Sequence, residues 1–163
     1  MGPFSIRYPR GNGVMTEWRL PMKAIEVGKG RKIKDGEDVA ILSIGHIGNY
    51  VITASEQLAK EGLNPAHYDM RFVKPLDEEM LHEVFSKYKK VITLEDGCLM
   101  GGFGSAVVEF MADNSYRAQV TRMGIPDRYI EHGEPMQLHE ECGIHPEGIA
   151  EAVRLLMKNI AAA

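Results

Sequence analysis

The stretch Val39-Ala40-Ile41-Leu42-Ser43-Ile44-Gly45 is apolar at nearly every position and shorter than an ordinary helix. A strand with one face in water alternates apolar and polar residues. A run without alternation suits a strand covered on both faces. Val91-Ile92-Thr93-Leu94 repeats the pattern, and Ala66–Met70 and Val120–Gly124 supply two more strand-like segments. Between them the apolar residues change to helical spacing. Val51, Ala54, Leu58 and Ala59 form one set, Met80, Leu81, Val84 and Phe85 a second, and a third helix runs from about Ser105 to Met111. Alternating strands and helices imply βαβ units and a parallel sheet with helices on both faces. Asp35-Gly36, following a strand over Ile25–Lys34, predicts a hairpin and one antiparallel edge strand. The expected fold is therefore a three-layer α/β/α domain with a mostly parallel sheet. A short helix around Met136–Glu141 and an amphipathic helix from Pro146 to about Ile160 complete it.

The segment ahead of this domain reads differently. Phe4-Ser5-Ile6-Arg7-Tyr8 alternates like a strand, Pro9 stops it, and Gly11-Asn12-Gly13 is a turn. Residues 14–24 show no period and contain Pro21, which suggests a linker. The expected division is 1–13 as the tail of a preceding domain, 14–24 as linker and 25–163 as the main domain. A net charge of −4 argues against a general nucleic-acid-binding surface, so any anion site must be local. Cys98 and Cys142 form no CxxC pair, which argues against a disulfide framework or a zinc cage and suits a reducing cytoplasm. No apolar run reaches membrane-spanning length.

The candidate motifs separate by chemistry. Gly101-Gly102-Phe103-Gly104-Ser105 lies between a strand and a helix, where backbone N–H groups can cradle phosphate. Its spacing is neither GxGxxG nor GxxxxGK[ST], and Glu95-Asp96 just before it would repel an anion. Close packing of helix on strand is the better reading. The six histidines, His46, His67, His82, His132, His139 and His145, make no HxH or HExxH pattern, so spacing points to no metal site. His46 follows the carboxyl end of a strand and His132 lies in a loop. Either could touch a ligand, although an ordinary surface or core-edge role outweighs that. Glu78-Glu79 and Glu140-Glu141 read as solvated helix faces. No serine sits in a nucleophile elbow, and no complete catalytic set is recognisable. Asp69-Met70-Arg71-Phe72-Val73-Lys74-Pro75-Leu76-Asp77 crowds charge at a strand's end. Asp69 and Arg71 are spaced to point the same way, and Asp77 is placed to cap the next helix. The loop is either self-satisfied or the rim of a site.

The strings "DMRFVKPLDE", "VITLEDG" and "GGFGSAVVE" resemble the C-terminal domain of the transketolase superfamily of thiamine-diphosphate enzymes. "IRYPRGNG" and "IPDRYIEHG" narrow the resemblance to the 1-deoxy-D-xylulose-5-phosphate synthases. Transketolases proper and 2-oxoacid dehydrogenase beta subunits are the alternatives. The resemblance implies a transferase of isoprenoid precursor synthesis that joins pyruvate to glyceraldehyde 3-phosphate with loss of CO2. It implies thiamine diphosphate and Mg2+ in the full-length enzyme, bound by domains whose GDG…N motif does not occur in these 163 residues. By the same resemblance the chain is a C-terminal fragment, inactive alone and dimer-supporting, whose partners are the remaining domains and a second copy. Arg10 and Arg71 would hold the substrate phosphate, Arg10 more firmly, with Arg7 a weaker candidate. No catalytic, cofactor-binding or metal residue is expected within the chain.

Overall fold

The computed structural model describes residues 2–9, 13 and 21–158. Its strands are β1 (Arg31–Lys34), β2 (Val39–Ile44), β3 (Ala66–Asp69), β4 (Lys90–Cys98) and β5 (Gln119–Ile125). Its helices are α1 (Gly48–Ala59), α2 (Glu78–Lys87), α3 (Phe103–Asp113), α4 (Pro135–Glu141) and α5 (Pro146–Lys158). The strands form one sheet in the order β1-β3-β2-β4-β5. β3, β2, β4 and β5 run parallel, and β1 is antiparallel to β3.

β2 and β4 occupy the middle and are buried on both faces. Val39, Ile41, Ile92 and Leu94 face one side, where they pack against Val51, Ala54 and Leu58 of α1 and Ile149, Val153 and Leu156 of α5. Ala40, Leu42 and Val91 face the other, against Leu81, Val84 and Phe85 of α2 and Phe103, Val107 and Phe110 of α3. Removing such side chains from water is what holds the three layers together, at roughly 1.5–3 kcal/mol for each large residue. Asp77 caps α2 as expected: its carboxylate accepts from the Met80 N–H at 3.1 Å.

Three expectations are corrected. Phe4–Tyr8 is not a strand; it has no ladder partner, and Phe4, Ile6 and Tyr8 stand 63–81% exposed. Residues 25–30 do not extend β1, because Gly28 turns at φ +76° and the Gly30 N–H goes to Asp77 at 2.9 Å instead of to a ladder. Asp35-Gly36 closes no hairpin, since β1 pairs with β3 and the chain crosses the amino end of β3, with the Glu37 N–H donating to the Asn64 carbonyl, to enter β2 at the centre. The turn at Gly11-Asn12, residues 14–20 of the linker and the end of the last helix at Ile160 lie outside the described residues.

One polar pair sits inside the sheet layer. Ser43 and His67 are buried, share a 2.8 Å hydrogen bond and lie under the first turn of α1. A Cβ on Gly48 would fall 2.7 Å from Ser43 Oγ, so α1 can approach only because that residue is glycine. Burial pushes His67 down to about 4; Arg31 and Lys34 add to the effect and Asp69 opposes it. The native imidazole therefore stays neutral where the unfolded one, near pH 6.5, takes a proton. This contribution is complete above pH 6.5 and is lost as pH falls toward 4. Urea titrations of the chain should show stability falling by about 2 kcal/mol from this residue between pH 7.5 and 5. H67N should remove that part of the slope; an unchanged slope in H67N would contradict it.

Candidate functional site

The sheet order dictates where a cleft can open. From β2 the chain leaves through α1 on one face toward β3, while from β4 it leaves through α3 on the other face toward β5. The two connections diverge, and the crevice between them lies at the carboxyl ends of β2 and β4. Open α/β sheets bind ligands at such a switch point.

The groups gathered there are polar. His46 follows β2, Asp96 is near the end of β4, and His139 comes from α4, folded over the edge. His46 Nε2 and His139 Nε2 each lie 3.7 Å from a different oxygen of the Asp96 carboxylate. The Tyr50 hydroxyl, from α1, is 3.2 Å from His139 Nδ1. Burial lowers the pKa of His46 below the ordinary histidine value; Asp96 opposes this, and the neighbouring His139 and Arg7 reinforce it.

Glu95 shapes the floor. It is buried, and its two carboxylate oxygens accept from the Phe103 and Gly104 N–H groups at 2.9 and 2.8 Å. An acidic side chain on the orphan amides at the start of α3 is favoured by the helix dipole. The glycine-rich turn is therefore filled by the protein's own carboxylate and does not fit a cofactor diphosphate. A Cβ on Gly102 would run into the Cys98 carbonyl and the Glu95 carboxylate, so close packing accounts for this glycine. Arg122 Nη1 donates to the Leu99 carbonyl and Ser105 Oγ at 2.8 and 2.9 Å and ties the loop down.

The arginines singled out in the sequence fall on the same edge where they are described. Arg71 stands just past β3 at φ +56°, half-buried, and among the described residues its guanidinium has no hydrogen-bond or ion-pair partner. It does not alternate with Asp69 as along a strand, because the ladder ends at Asp69. The Asp69 carboxylate instead accepts from Arg31 Nε at 3.0 Å and from the Arg71 backbone N–H at 3.2 Å. The segment 2–9 lies across the edge: Phe4 meets Phe72 edge-on at 6.4 Å, and Arg7 Nη1 approaches to 3.7 Å from a Cβ placed on Gly97. Arg10 lies outside the described residues. His132 is exposed between β5 and α4, and Glu140 and Glu141 are solvated as expected. The convergence of His46, Asp96 and His139 is not visible in the sequence, since the three come from widely separated positions in the chain. The one cue was the position of His46 after a buried strand.

A doubly wound α/β domain with its polar cleft at the sheet's carboxyl edge is the class these features define. Residues 28–149 match the model of the transketolase C-terminal domain, and the chain belongs to that family. It is 70% identical over 155 residues to a 1-deoxy-D-xylulose-5-phosphate synthase of Cytophaga hutchinsonii, covering 95% of this chain and 24% of that one. It is 54% identical over 153 residues to the synthase of the same name from Parabacteroides distasonis. The chain thus spans about a quarter of the length of these relatives. Among solved structures, a split-gene transketolase in an inactive β4 tetramer superposes with a TM-score of 0.76 at 31% identity, over 82% of this chain and 44% of that one. Among the described residues no helix is long and apolar enough to cross a membrane.

If Glu95 is the fixed cap of α3, Glu95→Ala should destabilise the chain by about 2–4 kcal/mol, since two charged hydrogen bonds are lost and two buried amides are orphaned. Glu95→Gln, which keeps one acceptor, should cost roughly half. Denaturant midpoints check this, and a neutral Glu95→Ala would contradict it.

Proposed function

We propose that this chain serves as the C-terminal domain of a 1-deoxy-D-xylulose-5-phosphate synthase. The observation that carries the reading is the 70% identity with the Cytophaga hutchinsonii synthase, which extends over the prelude as well as the matched family domain. In this reading residues 1–13 belong to the preceding domain, 14–24 link, and 25–163 form the domain itself. The complete enzyme joins pyruvate to glyceraldehyde 3-phosphate with loss of CO2, feeding isoprenoid synthesis. Thiamine diphosphate with Mg2+ supplies the carbanion chemistry when bound, and other domains hold it.

This chain's own part is to position and enclose. Arg71 is a guanidinium at the carboxyl edge, held half out of water and without a partner among the described residues. Such a group offers two parallel donors to a phosphate. Arg10 would meet the same phosphate from the prelude, stiffened by Pro9, while Gly11 allows close approach. Arg7, on the cleft side of the prelude, adds positive potential. The domain also supports dimerisation through surfaces that the other domains and a second copy cover.

Two experiments test the reading. Calorimetry of the isolated 163-residue chain should show no binding of thiamine diphosphate with Mg2+ and no product formation. The absent GDG motif and the occupied α3 terminus support that, and tight cofactor binding would overturn it. In the complete enzyme, Arg71→Ala and Arg10→Ala should each raise KM for glyceraldehyde 3-phosphate about 10- to 100-fold, the worth of a charged hydrogen bond, with KM for pyruvate near its wild-type value. Equal effects on both substrates would remove the phosphate role.

A further inference from the structure

His46, Asp96 and His139 form a group whose donor atoms all lie within 4.8 Å of one another. The 3.7 Å separations between Asp96 and each histidine are longer than an N–H···O hydrogen bond, so the three side chains do not satisfy one another. They converge on one gap. Bonds of 2.0–2.1 Å from a tetrahedral ion place its ligands about 3.3 Å apart, so modest side-chain closure completes the set. Tyr50 holds the far nitrogen of His139 at 3.2 Å, which orients the ring and leaves Nε2 toward Asp96. Metal-binding histidines are routinely fixed in this way through the other ring nitrogen.

We propose that His46, Asp96 and His139 bind one divalent transition-metal ion at the carboxyl edge of β2 and β4. Two imidazoles and one carboxylate favour Zn2+, Co2+ or Ni2+ over Mg2+ or Ca2+, which prefer all-oxygen sites. His139 is nearly buried and anchors the ion from α4, while His46 and Asp96 are each about 30% exposed and leave a coordination position open to the cleft. Arg7 Nη1 comes to 3.7 Å from a Cβ placed on Gly97, the residue after Asp96, and a positive charge there suits an anion or a water at the open position. The ion would also tie α4 to the sheet, joining the ends of β2 and β4 to a helix that follows β5 in the chain. The site involves neither the cap of α3 nor Arg71, so it stands or falls apart from the phosphate role.

The test uses the tag-free 163-residue chain at pH 7.5. Calorimetry with Zn2+ should give one site per chain with micromolar or tighter affinity. Co2+ should develop the intense visible absorption of a four- or five-coordinate ion. His46→Ala and His139→Ala should each weaken Zn2+ binding at least 30-fold, Tyr50→Phe about 10-fold, and His132→Ala not at all. Circular dichroism establishes that each variant is folded. A readout without substitution is the NMR ring-proton signals: one equivalent of Zn2+ should shift those of His46 and His139 and leave those of His132 in place. Absence of binding by the folded wild-type chain, or binding that survives loss of both histidines, would overturn the assignment.

Discussion

Every feature of this molecule depends on the pairing of β2 with β4. Both strands are apolar on both faces, so neither can lie at an edge, and each face must be roofed by helices. Their parallel register, Val39 beside Lys90 through Ile44 beside Glu95, brings their carboxyl ends to the same level. Because the connections then depart to opposite faces, the two ends are left side by side, with α4 alone folded over them. The cleft is thus a consequence of topology, formed without any dedicated loop.

What occupies that cleft follows from its electrostatics. Glu95 turns inward and is consumed by the amides of α3; its neighbour Asp96 turns outward to two histidines. One residue of offset along β4 separates a structural carboxylate from an available one, as the alternation of a strand requires. Arg71, without a side-chain partner among the described residues, and Arg7, close to Gly97, bring positive charge to the same rim. An edge with a carboxylate, two imidazoles and guanidinium groups is suited to anions and cations in different places, not to a nucleotide cradle.

Much of the fold was legible because burial leaves a direct mark on the sequence. The runs at residues 39–45 and 91–94 have the unbroken apolar pattern of central strands, and Asp77 announced the start of α2 by its capping chemistry. The legible part ended where long-range pairing decides. Nothing local to Asp35-Gly36 distinguishes a hairpin from a crossing to the sheet's centre, and β1 pairs with β3 because the β3 edge was the one left open. Alternation in Phe4–Tyr8 likewise describes a strand only if a partner strand is present. At the site, the place of Arg71 at the end of β3 was legible in the sequence, while its left-handed turn out of the ladder was not. His139 was not, since a histidine on a short helix says nothing of the sheet edge on which that helix folds. The structural role of the glycine cluster was legible in the acidic residues just before it, one of which, Glu95, caps α3.

In the proposed reading, the carboxyl edge of β2, β3 and β4 would face the substrate of the complete enzyme. A crystal structure of the complete synthase with glyceraldehyde 3-phosphate bound tests it most directly. The account predicts the Arg71 guanidinium within about 3 Å of a phosphate oxygen, the length of a charged hydrogen bond, with the edge turned toward the cofactor. An edge turned to solvent, with the phosphate held entirely by other domains, would contradict it.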